Sequence, residues 1–375
     1  MLEDRGYRIK EAPDGRAALD MLSRQDFNLV ITDWMMPRMD GITLIRAIRA
    51  RASNSYVYCI MLTASSDFDT LVSAMEAGVD DFLAKPLHAV ELGARLRAAE
   101  RVLALESGLA LRNRRLAEAN AQFESELRMA RALQIDALPL PAQFDSLRFD
   151  GMLEASSYVG GDSYDFFTLG PGYVGFHLID VSGHGVAAAM LAFNVQHQLL
   201  AASQQLAASM LAAGAGVEAA AIAVVSELNR RMLQMHEADH YLTMVYGIAD
   251  LKTAAVALVQ AGHPPPLLAK PGSDRFLPIG DGGLPVGILP EAEYEAHLVS
   301  LAPGARLVLY SDGVTECEDA GGQNFGIARL QALLAQQSGQ PLAASRPALL
   351  AALHSWCEGD SFDDDVSFLV LEVPG

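Results

Sequence analysis

Apolar and polar positions follow two different rhythms along this chain. Short apolar runs at Tyr7 to Ala12, Asn28 to Thr32, Tyr56 to Leu62 and Asp81 to Ala84 alternate with amphipathic stretches at Gly15 to Arg24, Gly41 to Ala50, Asp69 to Ala77 and His88 onward. Strict alternation of strand and helix predicts a doubly wound α/β unit with a parallel sheet and helices on both faces. Beyond about residue 144 the rhythm becomes one of successive short strands around two long helices. Strands fit Tyr173 to Ile179, Leu242 to Ala249, Ala254 to Gln260, Ala296 to Ser300, Arg306 to Tyr310 and Val366 to Val373, and helices fit Gly185 to Gln204 and Glu218 to Met235. Hairpin-rich strands with helices between them predict two antiparallel sheets packed face to face and covered outside by helices.

Between these units the pattern is helical and polar, with no Gly or Pro between Leu109 and Leu138. Val102, Leu109, Leu116, Phe123 and Ala130 recur at heptad spacing, with Leu105, Ala119 and Leu133 on the complementary seam and Arg112 and Glu126 interrupting it. A helix polar on most faces pairs or bridges domains, and this spacing predicts a parallel homodimer through an imperfect coiled coil. The expected organisation is therefore a first domain over 1–103, a helical linker over 104–141 and a second domain over 142–375.

Composition narrows the class. At 375 residues the chain exceeds one ordinary core, and 51% hydrophobic residues suffice to pack two. Its formal charge of -19 argues against a nucleic-acid partner, because phosphate backbones are bound by clustered cations. Cys59, Cys317 and Cys357 lack metal-ligand spacing, so a reduced, cytoplasmic protein is expected. The Ala-rich stretch from Leu206 to Val225 is interrupted by two glycines and Glu218, which predicts a loop and a packed helix and no membrane span.

Candidate chemistry lies at strand ends. In an open parallel sheet the ligand site sits at the carboxyl ends of the strands, where Asp33, Thr63 and Lys85 fall. An acid, a hydroxyl and a cation there suit a carboxylate that accepts a phosphoryl group. The run Thr32-Asp33-Trp34-Met35-Met36-Pro37-Arg38-Met39-Asp40-Gly41, with Leu62-Thr63-Ala64 and Lys85-Pro86, resembles the receiver domain of two-component response regulators, a flavodoxin-like fold. The resemblance implies Asp33 as phosphoacceptor, Thr63, Lys85 and Phe82 as switch residues, Met35 as a carbonyl ligand for Mg2+, and a sensor histidine kinase as partner. Receivers begin with a strand ending in an acidic pair, and no such segment precedes Tyr7. Met1 is therefore expected to be an internal methionine, and Asp33 as written a poor Mg2+ site and a weak phosphoacceptor.

Four acidic segments mark the second unit: Gly160-Gly161-Asp162, Asp180-Val181-Ser182-Gly183-His184-Gly185, Ser311-Asp312-Gly313 and Asp363-Asp364-Asp365. Carboxylates at strand ends can converge on one hard cation or two, and a paired oxygen site is first of all a phosphate-ester site. With Ala261-Gly262-His263-Pro264-Pro265 they resemble the Mg2+- or Mn2+-dependent serine/threonine phosphatases of the PP2C type, in the SpoIIE-like and RsbU-like branch. That resemblance implies an α/β/β/α sandwich in which Asp180 bridges two metals and Val181 lends its carbonyl, Asp162 serves one metal, and Asp312 and Asp364 serve the other. Asp165 and Asp365 remain open as outer or alternative ligands, His184 as an acid or a structural residue, and His263 reads as structural. The implied substrate is a phosphorylated anti-anti-sigma (STAS) protein, dephosphorylated under control of the receiver and the coil. The competing expectation is a non-catalytic scaffold for the same partners.

Overall fold

The structure, a computed structural model, describes residues 2–51, 56–64, 68–183, 185–235, 241–357, 359 and 361–375. Contacts divide the chain into two compact units, Met1–Phe123 and Glu124–Gly375.

The first unit runs α1 (Gly15–Arg24), β1 (Leu29–Asp33), α2 (Gly41–Arg49), β2 (Tyr58–Thr63), α3 (Phe68–Glu76), β3 (Asp81–Ala84) and the first part of α4 (Ala89–Ala137). The three strands form a parallel sheet in the order β1-β2-β3. Because side chains alternate across a strand, β2 feeds two cores at once. Its Cys59 and Met61 pack with Leu22, Leu44, Ile45 and Ile48 of α1 and α2, while Tyr58 and Ile60 pack with Leu83 and with Leu92, Leu96 and Ala99 of α4. Helix starts follow local chemistry: Asp14 and Asp40 cap α1 and α2 by accepting from Ala17 N and Thr43 N.

One expected element differs. Tyr7 to Ala12 is apolar enough for a strand, yet forms none. A strand needs a ladder partner, and no described segment supplies one between it and β1. Its Tyr7 instead packs toward the α4 face of the sheet and its hydroxyl donates to Glu100.

Helix α4 continues to Ala137, passing residue 103 without a break, as expected of a segment lacking proline until Leu138-Pro139. Leu109, Leu116 and Phe123, the expected seam, are 55%, 62% and 58% exposed, so the fold of one chain does not use them.

The second unit adds β4 (Ala142–Phe144), β5 (Leu147–Glu154), β6 (Ser163–Thr168), β7 (Tyr173–Val181), α5 (Val186–Ala202), α6 (Ala208–Ala212) and α7 (Val217–Gln234). There follow β8 (Leu242–Asp250), β9 (Ala255–Ala261), β10 (Leu267–Ala269), β11 (Phe276–Pro278), β12 (Ala296–Ser300), β13 (Arg306–Tyr310), α8 (Asp312–Glu316), α9 (Gly326–Gln336), α10 (Ser345–Cys357) and β14 (Val366–Glu372). A six-stranded sheet has the order β11-β10-β13-β14-β5-β4, and a five-stranded sheet β12-β9-β8-β7-β6. The π-helical stretch Ser203–Ala207 joins α5 to α6.

Period-two alternation sorts the side chains into three cores. Val174, Phe176 and Leu178 of β7 meet Leu307 and Leu309 of β13 and Leu369 and Leu371 of β14 between the sheets. Their neighbours Ile179 and Val181 point outward to Ala188, Ala192 and Val195 of α5 and Val224 and Leu228 of α7. On the opposite exterior, Val308, Phe368 and Val370 pack under Leu330 and Leu334 of α9 and Leu349 and Leu353 of α10. The result is a four-layer α/β/β/α sandwich, as the pattern of strands and helices predicted. No described helix is long and apolar enough to cross a membrane.

An ion pair joins β13 and β14, two interior strands of the six-stranded sheet, at their ends away from Asp312 and Asp364. Arg306 is 7% exposed; its Nε donates to Glu372 Oε2 at 3.1 Å and its Nη atoms to the carbonyls of Gln337 and Gln340 at 3.2 and 2.9 Å. Removing one partner of a buried pair strands the other, so Arg306→Leu is expected to lower unfolding stability by about 3 kcal/mol. The double variant with Glu372→Leu should recover most of that loss; both are read by urea denaturation.

Candidate active site

Strand ends bring the acidic segments together at one rim of the sandwich. Asp180 is the penultimate residue of β7 and continues the register of Val174, Phe176 and Leu178, which places it on the face between the sheets. Asp312 opens α8 directly after β13, Asp364 precedes β14, and Asp162 immediately precedes β6.

The electrostatics follow from this convergence. Asp180 is pushed up to about 7, first by burial and then by the charges of Asp312, Asp364 and Asp365. Asp162, 2% exposed, is raised well above the usual carboxylate range by burial and then by Asp180. Burial also raises Asp312, with Asp364 the next cause. Like charges in a desolvated rim disfavour ionisation unless a cation is shared.

Asp365, whose charge also acts on Asp162 and Asp180, has its carboxylate oxygens engaged by neighbouring donors. Its Oδ1 accepts from Ser156 N at 2.8 Å and Ser156 Oγ at 3.1 Å, and its Oδ2 from Gly161 N at 2.6 Å. Gly160 is needed beside it, since a Cβ there would stand 2.2 Å from Asp365 Oδ2. Gly313 is required likewise: its Cβ would lie 2.2 Å from the Asp365 carbonyl oxygen. The loop Ser311-Asp312-Gly313 is thus locked onto the loop that carries Asp364, with Ser311 Oγ donating to Asp365 O at 3.1 Å and accepting from Ser367 N at 2.9 Å.

The remaining expected residues separate. Val181 ends β7, where its carbonyl faces Gly161. Asp165 lies on β6 opposite His177; its Oδ1 accepts from Phe166 N at 2.8 Å, and burial raises it, with Phe166 and Gln196 pulling the other way. No rim carboxylate figures among those influences. His263 is 1% exposed, its Nδ1 2.7 Å from Thr243 Oγ1, which stands opposite Asp180 in the ladder. His184 lies outside the described residues. In the first unit Asp33 and Thr63 end β1 and β2, Lys85 follows β3, and the Lys85 ammonium pairs with the Asp33 carboxylate. Phe82 on β3 and Met36 pack at the margin of the α1/α2 core, while Met35 is 78% exposed.

The rim passes a test for a hard divalent cation. Its donors are all oxygens, and Asp162 Oδ2 is buried with no hydrogen-bond partner. Ser311 and Ser367 stand close enough to ease the ionisation of Asp162. Among the described residues no three His, Cys, Asp or Glu side chains are already drawn into a ligating group. The rim supplies oxygen donors whose mutual repulsion a cation would offset.

Residues without a role in the sequence reading complete the site: Ser156, Ser311 and Ser367 around the carboxylates, and Gln134 of α4. The Gln134 amide donates to Gly160 O at 2.8 Å and accepts from Gly160 N at 3.1 Å. Nothing in a polar helix marks one glutamine from another, and only its position opposite the loop distinguishes it.

A two-sheet sandwich with acidic strand ends at one rim defines a PP2C-like phosphatase fold, preceded by a receiver. The family described as Stage II sporulation protein E (SpoIIE) matches residues 170–374, and the response regulator receiver domain matches residues 1–97. The chain belongs to the SpoIIE family and carries a receiver domain at its N-terminal side. It is 27% identical over 252 residues to phosphoserine phosphatase RsbP of Bacillus subtilis, a match covering 66% of this chain and 58% of that protein. The chain thus spans little more than half of RsbP. Its first part is 39% identical over 97 residues to chemotaxis protein CheY-3 of Vibrio cholerae, covering 26% of this chain and 75% of CheY-3. The SiaA PP2C domain of Pseudomonas aeruginosa superposes with a TM-score of 0.58 at 22% identity, covering 68% of this chain and 99% of that one. The PP2C domain of SpoIIE from Bacillus subtilis gives 0.51 at 19% identity, covering 60% and 63%. Both structures show the shared fold.

One buried base reports on the acid side of stability. His177 is fully buried, neither ring nitrogen has a hydrogen-bond partner, and burial pulls it down to about 3. A depressed histidine contributes stability above its unfolded value near 6.5 and loses it as pH falls toward the folded value. His177→Leu is therefore expected to gain on the wild type by about 1.4 kcal/mol per pH unit below about pH 6.5. Parallel denaturation curves from pH 7 to 4 check this, and a pH-independent difference would refute it.

Proposed function

We propose that this protein is a metal-dependent protein serine/threonine phosphatase whose substrate is a phosphoserine or phosphothreonine on a partner protein. The observation that carries this reading is the convergence of Asp162, Asp180, Asp312 and Asp364 at one rim, with Asp162 Oδ2 buried and unpartnered. Asp180 and Asp162 would hold one Mn2+ or Mg2+, with the Val181 carbonyl beside them, and Asp180, Asp312 and Asp364 a second. When bound, such ions supply charge neutralisation for phosphoryl oxygens and acidify water for in-line attack.

The protein's own groups do the positioning. Asp162, Asp312 and Asp364 all act on Asp180, which supports its being the shared ligand. Asp365 and Gly313 fix the two loops of the rim relative to one another. No nucleophilic side chain is required. The partner is proposed to be an anti-anti-sigma (STAS) protein, by likeness to RsbP, whose name records phosphoserine phosphatase activity. Removing a phosphate deletes roughly 1.5 to 2 negative charges, enough to switch an interface.

Regulation is proposed to enter through the receiver and the coil, with a sensor histidine kinase upstream and Asp33 as phosphoacceptor, in a cytoplasmic homodimer. Support comes from Lys85 meeting Asp33 at the strand ends and from the exposed apolar seam of α4.

Two measurements test these readings. Asp180→Ala should reduce Mn2+-dependent phosphate release from a phosphoserine STAS protein by about a thousandfold or more. Metal binding without hydrolysis in the wild type would favour the non-catalytic scaffold. Leu109→Glu with Leu116→Glu should convert a dimer to a monomer in sedimentation equilibrium, since charges on a coiled-coil seam are not buried at that cost. A dimer that survives both changes would place the interface elsewhere.

A further inference from the structure

The segment 155–162 carries no ladder hydrogen bonds of a strand or helix, yet it delivers Asp162 to the rim. Its backbone must be placed by other groups. On one side Asp365 accepts from Ser156 N and Gly161 N. On the other, Gln134 takes both backbone polar groups of Gly160, its Nε2 donating to the carbonyl at 2.8 Å and its Oε1 accepting from the amide at 3.1 Å. The absence of a Cβ on Gly160 makes room for the Asp365 carboxylate, so the loop is gripped between Asp365 and Gln134.

The face of α4 that does this is continuous. Leu127, Ala130, Arg131 and Gln134 are its partly buried positions among exposed neighbours, at helical spacing. Arg131 Nη2 reaches Glu154 Oε2 at 3.4 Å, at the end of β5 just before the loop. Two contacts one turn apart therefore tie the last turns of the helix to both ends of the approach to Asp162.

We propose that Gln134 is a positioning residue for Asp162, through which the end of helix α4 sets the affinity of the rim for its cation. The proposal rests on the metal-site reading given above. The two hydrogen bonds hold the peptide groups on either side of the Gly160 Cα in one orientation and so fix where the Asp162 Cα stands, two residues on. A rotation or slide of the helix end that separates the Gln134 amide from Gly160 breaks both bonds together. The loop is then held only by Asp365 and by the Val181 N–H that donates to Gly161 O at 3.4 Å, and Asp162 is less firmly kept in its place beside Asp180. Control of this kind acts on cation affinity and leaves the chemistry of the assembled site unchanged.

The test uses the full chain with Gln134→Met, which keeps side-chain length and helix propensity and removes both hydrogen bonds. Mn2+ binding is measured by titration calorimetry, and amide hydrogen exchange at Gly160 and Gly161 is followed without metal. The expected result is Mn2+ binding weakened about tenfold or more, faster exchange at both amides, and an unfolding midpoint close to wild type. Phosphatase assays should show a matching rise in the Mn2+ needed for half activity, with kcat restored at saturating Mn2+. Unchanged Mn2+ affinity together with unchanged exchange would overturn the proposal. A wild type that binds no Mn2+ would overturn the metal-site reading instead, and the exchange rates would then decide the clamp by themselves: accelerated in Gln134→Met if it exists, unchanged if it does not. If Gln134→Met fails to fold, Gln134→Glu, which keeps the acceptor for Gly160 N and loses the donor, is measured in its place with the same criteria.

Discussion

The repulsion among carboxylates at the sandwich rim is the constraint to which the second unit answers. Asp162 and Asp180 lie in surroundings that disfavour charge, and Asp180 faces Asp312 and Asp364 as well. Isolated loops bearing such residues would separate in water. They stay together because each is attached to the end of a strand whose apolar side chains are buried in the sheets. The hydrophobic core supplies the free energy that holds the acids close, and a cation bound there, as proposed, would release that imposed repulsion.

How the fold aims these groups is a matter of strand parity. Along β7 the same two-residue period that buries Val174, Phe176 and Leu178 between the sheets carries Asp180 onto that face at the strand's end. A one-residue slip would bury Asp180 under α5 and bring Ile179 to the rim. The neighbouring loops are then fastened by close backbone approach, with Gly313 against Asp365 O and Gly160 against the Asp365 carboxylate. Asp365 thereby fastens both loops. Its oxygens are already engaged by Ser156 and Gly161, which distinguishes it from Asp162, whose Oδ2 is not.

The first unit shows what the same logic yields when a sheet is small. Three parallel strands still place Asp33, Thr63 and Lys85 side by side at their carboxyl ends, because parallel strands in register end together. Tyr7 to Ala12 has the composition of a strand and no ladder to join, so pairing partners, not propensity, decide its state. Helix α4 leaves this unit with its first turns in the core and ends against the Asp162 loop, so one element contributes packing at one end and polar contacts at the other.

The local pattern of the sequence determined most of the elements and the location of the acidic segments. Strands such as Ala296–Ser300 and Arg306–Tyr310 are legible because period-two burial is a local property, and Asp180 or Asp312 stand out because apolar runs end at them. Short pieces such as β10 and β11 left no such signal, since three residues carry too little periodicity to read. What only the tertiary structure decided is which distant groups hold each of the adjacent acids. Asp364 and Asp365 are neighbours in sequence and differ in their hydrogen bonds because Ser156 and Gly161 arrive from about two hundred residues away to engage one of them. Gln134 is equally silent in sequence, because a hydrogen bond to the backbone of Gly160 depends on where two segments meet and not on the composition of either.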